Sequence, residues 1–340
     1  VSERLGGQIS AYQFWDQSVS AREQYDSAVL LGPMGYQSNL PLSDWLGFVR
    51  QAQLLLEQSM KKNIDSRSQL PLAYFWYQAT EIVDRLDETG HPCLHPDGFP
   101  LASPGAFQCH PLPLFLEAVV HHMRLQAPIE ADETYRVLLR SELHDRDLGL
   151  YKVCADLSSA RNEIGRTRIF PRGWLENESI WLHMHYKLLL ELLRAGLFAE
   201  FYDECQRGGL IPFRDADRYG RSILENSSFI ASSVYAHEPD QGRGFVARLS
   251  GSTAEYIQMW LWICFGRQPF SMDATGKLQL ELRPALADWL FDADGRLETT
   301  FLGSVGVLYN NPSGKSTFGP DAAHVSGYQF FYKDNLIDRL

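Results

Sequence analysis

Three polar stretches place reactive residue types at the entrance to apolar segments. The first is Gly173-Trp174-Leu175-Glu176-Asn177-Glu178-Ser179-Ile180-Trp181-Leu182-His183. It brings two carboxylates, an amide, a hydroxyl and an imidazole to what reads as the start of a buried helix. A helix start offers unpaired N–H groups and the positive end of a dipole, so it can hold an anion or a polar ligand. Capping accounts for the same residues: Asn177 or Ser179 as the cap, with the glutamates beside the dipole. The second stretch is Gly242-Arg243-Gly244-Phe245-Val246-Ala247-Arg248-Leu249-Ser250-Gly251-Ser252-Thr253-Ala254-Glu255. Ser252-x-x-Glu255 fits a capping box, which sets Ser250 and Gly251 just ahead of a helix N-terminus. There, glycine admits close approach of a ligand to the backbone and serine offers a hydroxyl. With Arg243 and Arg248 the stretch makes an oxyanion or phosphate cradle; a loop leading into a well-capped helix explains it equally. The third stretch is Tyr219-Gly220-Arg221-Ser222-Ile223-Leu224-Glu225-Asn226-Ser227-Ser228-Phe229. Its hydroxyls, amide and carboxylate beside aromatic rings suit sugar hydroxyls, or else a buried polar turn network.

Other motifs fall away on geometry. His183 and His185 would share a metal on a strand, but on a helix two positions turn through about 200°. The leucine-rich continuation makes this a helix, and no shared metal is expected. Gly314-Lys315-Ser316 ends like a P-loop, yet Tyr309 stands where that motif needs glycine. Asn310-Asn311-Pro312-Ser313-Gly314 reads as a turn. The sequence contains no G-x-S-x-G, H-E-x-x-H or G-x-G-x-x-G.

Positioning these groups falls to a series of helices. Apolar periodicity predicts helices from Ser43 to about Met60-Lys61, Pro71 to about Leu86, Leu114 to Leu125, Asp132 to Leu143, Ser179 to Ala195 and Thr253 to Phe265. Gly196 and Gly266 are the stop signals of the last two. The tail changes character. Lys277-Leu-Gln-Leu-Glu-Leu-Arg283 alternates as a half-buried strand does, and Leu297 to Tyr309 and Val325 to Tyr332 also read as strands. The expectation is a mainly α fold over residues 1–270 and a small β-rich segment over 271–340. The connections Gly90 to Gly105 and Asn162 to Gly173 are long enough to be functional loops.

Composition limits the function classes. Of 340 residues, 45% are hydrophobic, which excludes a disordered chain. Against 31 basic residues stand 42 acidic ones, a net charge of −11, which disfavours nucleic-acid binding. The longest uncharged apolar stretch, Tyr256 to Gly266, is too short for a bilayer, and the N-terminal residues lack the apolar core of a signal peptide. Five cysteines without a C-x-x-C read as free thiols in a reducing compartment, which is to say a cytoplasmic protein. Aromatic residues reach 12%, which serves core packing and sugar sites alike.

The run Leu175-Glu-Asn-Glu-Ser-Ile-Trp-Leu-His183 resembles the Glu-Asn-Gly-x-Ile-Phe-x-His segment of glycoside hydrolase family 94, the cellobiose phosphorylases and their relatives, among them β-1,2-oligoglucan phosphorylase-like enzymes. Arg248-Leu-Ser-Gly-Ser-Thr-Ala-Glu-Tyr256 is similar to that family's Leu-Thr/Ser-Gly-Thr-Ala-x-x-Tyr, and Phe265-Gly-Arg-Gln-Pro269 to its Leu-Gly-Ile-Arg-Pro. The likeness is strongest from about Gly173 to Phe270. It implies part of an (α/α)6 barrel followed by the β-rich segment, with inverting phosphorolysis of a β-linked gluco-oligosaccharide to a sugar 1-phosphate. The partners it implies are the oligosaccharide and inorganic phosphate, with no further cofactor. By this resemblance His183, Ser250 and Gly251 hold the phosphate. Arg248 joins them on charge and proximity, and Glu176, Asn177, Glu225 and Asn226 serve sugar or loop-ordering roles. The family's general acid lies upstream in an Asp-Trp-Asn-Asp type segment. Asp44-Trp45 and Asp288-Trp289, the Asp-Trp pairs here, do not continue that way, so no general acid is identified. The Gly after Glu-Asn in the family is Glu178 here. A chain that begins with Val, without a starting Met, and lacks the acid is expected to be the C-terminal portion of such an enzyme. Its partner would then be the missing N-terminal part, or a second copy. Two rivals share the same residues: a hydrolase or transglycosylase using Glu176 or Glu225, and a non-catalytic carbohydrate-binding piece.

Overall fold

A computed structural model of the protein describes residues 11–32, 39–209, 215–222, 225–247, 251–332 and 335–339. The chain divides into two compact units between Ile64 and Asp65. The first holds helices α1 (Ala11–Val29) and α2 (Leu42–Lys62). Pro41 occupies the N-cap of α2 and Ser43 lies inside the helix, so the cap expected of Ser43 does not form. Asp44 in the first turn and Lys61 and Lys62 in the last suit the helix dipole.

The second unit opens with a correction. The segment expected to be a helix from Pro71 to Leu86 is strand β1 (Phe75–Asp84), paired antiparallel with β2 (Ala102–Pro111). Its Phe-Trp-Tyr start and its Thr80, Ile82 and Val83 are aromatic or β-branched, and such side chains fit a pleated surface better than a helix. The connection Gly90 to Gly105 joins these two strands and ends within β2.

Next come α3 (Leu116–Arg124), α4 (Pro128–Leu138), the short strands β3 (His144–Asp145) and β4 (Leu150–Tyr151), and then β5 (Ile180–Trp181) leading straight into α5 (Leu182–Ala195). Helix α4 starts four residues ahead of the expected Asp132, because Pro128 fits its first turn and the Glu130 carboxylate accepts from the Ala127 N–H at 3.0 Å. Beyond α5 lie α6 (Phe198–Glu204), α7 (Ala216–Tyr219), β6 (Ser227–Ile230), β7 (Gly244–Ala247) and α8 (Gly251–Phe265). Three hairpins finish the chain: β8 (Phe270–Met272) with β9 (Leu278–Leu280), β10 (Arg296–Phe301) with β11 (Val305–Asn310), and β12 (Gln329–Tyr332) with β13 (Asn335–Arg339).

Helix α5 is the centre of the core. Leu182, Tyr186, Leu188, Leu189 and Leu192 are completely buried, and they share one hydrophobic cluster with α3, α4, α6 and α8. Gly196 ends the helix in the left-handed region at φ 76°. The N–H groups of Gly196 and Leu197 then close the last turn onto Leu193 O and Leu192 O, the arrangement for which glycine has no Cβ penalty. The tail packs on this same core. Leu282, Leu286 and Phe301 belong to the cluster, and the hydroxyls of Tyr202 and Tyr309 donate to Ala285 O and Cys264 O at 2.6 and 2.5 Å.

The fold class therefore differs from the expectation. Helices make up 38% and strands 22%, so the fold is mixed rather than mainly α, and the described residues give no closed (α/α)6 barrel. The helical periodicity at α2, α3, α4, α5 and α8 was real, but β1 to β7 pair among these helices as small antiparallel sheets. Among the described residues no helix is long and apolar enough to cross a membrane.

Candidate functional site

A small sheet joins the three polar stretches. Strands β5, β6 and β7, one from each stretch, lie side by side as a three-stranded antiparallel sheet in that order. Trp181 pairs with Phe229, Phe229 with Phe245, and Ser227 with Ala247. Because both neighbours run opposite to β6, the ends of β5 and β7 and the start of β6 lie along one edge. His183 follows β5 at that edge, Asn226 precedes β6, and the chain leaves β7 there on its way to Gly251 and α8. Arg248 and Ser250 lie outside the described residues. Gly251 is the first residue of α8.

The turn ahead of β5 is built from inside. Gly173, at φ 80°, lies so close to Tyr235 that an added Cβ would meet its backbone N at 2.5 Å. The Trp174 ring packs against Phe229, Tyr235 and Phe245 at centroid distances of 5.0, 4.9 and 4.5 Å. Asn177 is buried, with its amide donating to Phe170 O at 2.9 Å and its carbonyl accepting from Leu157 N–H at 3.3 Å. Both ends of that side chain thus order the loop. Leu175 O accepts from the Ser179 hydroxyl and from the Trp181 indole. Neither Asn177 nor Ser179 caps α5, whose N-cap is Trp181 without a side-chain bond.

Glu178 is the tightest point of the turn. Only 1% exposed, it receives the Lys152 ammonium at 2.7 Å and the Arg172 guanidinium. Its φ of 59° lies in the left-handed region. This is the position where the resembled segment carries glycine, the residue that adopts such a φ without strain. Here a glutamate is held in that conformation by its two cations. Cys154 lies beneath, its thiol donating to Glu176 O at 3.1 Å and pushed up to about 12 by burial, so it is not a reactive thiolate. Glu176 pairs with Arg166 at 3.2 Å and leaves Oε2 buried without a partner among the described residues.

His183, in the first turn of α5, approaches Glu255 of α8 at 3.5 Å. Burial draws the imidazole below its ordinary value, helped by the Lys187 charge, and burial raises the Glu255 carboxyl. Both groups are thereby biased toward their neutral forms, and the contact is an approach of two poorly solvated groups rather than a strong ion pair. Ser252, three residues before Glu255 and so on the same face of α8, leaves its hydroxyl buried without a partner among the described residues, as does Glu255 Oε2. The capping box expected of these two does not form, because α8 begins at Gly251 and Ser252 already lies within its first turn. One turn along α5 from His183, Lys187 pairs with Glu117 of α3 at 2.7 Å, which also receives His121 at 3.6 Å. Burial opposes ionisation of Glu117, but Lys187 and His121 prevail and hold its carboxyl below the ordinary value.

The remaining expected residues divide. Asn226 accepts from the Tyr186 hydroxyl at 3.0 Å, three residues along α5 from His183, which ties the start of β6 to that helix. Glu225 is bound to Arg221 within its own turn, and its backbone carbonyl receives the Tyr219 hydroxyl at 2.7 Å. His183 and His185 diverge as expected, since buried His185 meets Gly209 O at 3.1 Å on another side of α5. Among the described residues no group of three or more His, Cys, Asp or Glu side chains is placed to hold a metal ion. The sequence reading missed Glu255 as a neighbour of His183, and Lys187 and Glu117 as the charges behind it. The i,i+4 step from His183 to Lys187 was visible in the sequence; the approach of α8 and α3 was not.

No protein-family model matches the chain, and no curated protein matches it. The likeness to family 94 segments therefore rests on the residues quoted for it.

Proposed function

We propose that the protein binds inorganic phosphate and a β-linked gluco-oligosaccharide as part of an inverting phosphorolysis that yields a sugar 1-phosphate. The observation that carries this reading is the β5–β6–β7 sheet. It aligns three stretches distant in the sequence and puts His183 beside the first turns of α8. The α8 entrance supplies N–H groups and the positive dipole end, and Gly251, with Ser250 and Arg248 ahead of it in sequence, would receive the phosphate oxygens. Burial raises the Glu255 carboxyl, which lessens the repulsion a carboxylate at such a place exerts on an anion, and the Ser252 hydroxyl is available to donate.

Phosphate is already a nucleophilic anion and needs no base. It attacks the anomeric carbon as the bond to the leaving oxygen breaks, and that oxygen takes its proton from a carboxylic acid. None of the residues matched here is that acid. Glu176 and Glu225 are held by Arg166 and Arg221, so loop ordering and sugar contacts suit them better than catalysis. We place the protein in the cytoplasm, where its free thiols stay reduced.

The test is release of sugar 1-phosphate from β-linked gluco-oligosaccharides, with and without inorganic phosphate, by the protein and by His183→Ala. Phosphate-dependent release that the substitution abolishes is the expected result. Unchanged release removes His183 from the site, and release of reducing sugar without phosphate removes the phosphorolytic reading.

A further inference from the structure

The opposite end of α5 carries a second feature, about 16 Å from His183 along the helix axis at 1.5 Å per residue. A hollow of about 660 Å³ opens between the ends of α5 and α8 and the strand-like segment after β9, a size suited to a small ligand. Arg194, Arg267 and Arg283 line it together with Trp262, Gln258 and Gln268, and among the described residues no acidic side chain does. The Arg194 and Arg267 guanidiniums each lie 5.2 Å from the centre of the Trp262 ring. That contact holds the two forks in place without neutralising them. Arg194 shares the single buried carboxylate of Glu191 with Arg124, at 2.8 and 2.7 Å. Arg283 pairs with exposed Glu281 at 2.8 Å, and Arg267 has no carboxylate partner among the described residues. Four guanidiniums therefore face two carboxylates, a local positive excess on a chain whose net charge is −11.

Planar guanidinium forks match phosphate oxygens. The Gln258 and Gln268 amides both donate and accept, as hydroxyls require, and the indole offers an apolar surface. We propose that this hollow is a binding site for a small phosphate monoester carrying hydroxyl groups, a sugar phosphate. The site is separate from the phosphate position proposed beside His183 and does not depend on it.

The experiment is calorimetric titration of the whole protein with glucose 1-phosphate, inorganic phosphate and glucose, in wild type, His183→Ala, Arg267→Glu and Gln258→Glu. Arg267 and Gln258 are exposed, so a carboxylate introduced there leaves the core intact. Glucose 1-phosphate is expected to bind His183→Ala still, to bind more tightly than inorganic phosphate or glucose, and to lose about tenfold or more in affinity in either pocket variant. Affinity unaltered by both pocket variants overturns the proposal, as does loss of all binding in His183→Ala. Equal affinity for inorganic phosphate overturns the sugar phosphate assignment. Loss of phosphorolysis in His183→Ala together with unaltered binding in Arg267→Glu would retain the function proposed above and reject this site alone.

Discussion

Replacing Glu178 by glycine sets two effects against each other. Glycine relieves the left-handed backbone at φ 59°, which costs an L-residue roughly 1–2 kcal/mol. It also removes the carboxylate facing Lys152, itself only 7% exposed, and a buried charge left without its partner costs about 3–5 kcal/mol. Arg172 adds little to this balance, because its side chain is 49% exposed and keeps Asp156 at 3.5 Å. The charge effect wins, and Glu178→Gly is expected to destabilise the protein by about 1–4 kcal/mol. Adding Lys152→Met removes the stranded cation. The double variant should then return to within about 1 kcal/mol of wild type, which shows that the two positions are coupled. Urea unfolding followed by circular dichroism and tryptophan fluorescence reads this as a shift in midpoint at constant slope. A single variant as stable as wild type, or a double variant no better than the single, would refute the argument that the ion pair holds the turn against its own strain.

Three further outcomes follow from the site and the core. For His183, burial sets the folded value below the ordinary 6.5, so the unfolded chain takes up protons first and stability falls as pH drops through 6.5 toward the folded value. For Glu255 the folded value lies above 4.5, and stability falls as pH rises from 4.5 through that raised value. His183→Gln should therefore flatten the loss on the acid side, and Glu255→Gln should raise stability at pH 7 relative to pH 4.5; parallel pH–stability curves for variant and wild type would contradict both. In the core, Glu204 is fully buried and its carboxylate accepts from Tyr135 and Tyr151 at 2.5 and 2.9 Å. Tyr135→Phe, which withdraws one donor from a charged acceptor, should cost about 1.5–3 kcal/mol in the same urea assay.

Much of the core was legible from pattern. Helix α5 and its glycine stop, α8 and its glycine stop, and the β10–β11 hairpin all follow from apolar periodicity and breaker residues, because burial on one stripe or one face leaves that trace directly. The hairpin at Phe75 was misread because most of its side chains are exposed, and without a buried face a strand shows no alternation. The caps failed for a related reason. Ser43, Ser179 and Ser252 have the right chemistry, but a helix start moved by one or two residues reassigns the cap, and long-range packing sets that start.

What the sequence determined by itself was an inventory: which segments bury apolar surface, where glycines stop helices, and which polar residues crowd each helix entrance. These depend on neighbours within a few positions along the chain. The tertiary structure decided the rest. It laid β5, β6 and β7 edge to edge, brought Glu255 to His183 across α5 and α8, buried Lys152 against Glu178, and set Arg194 and Arg267 over Trp262. Each of these depends on solvent exclusion and charge pairing between residues far apart in sequence, and a linear pattern carries no record of which distant partner will arrive.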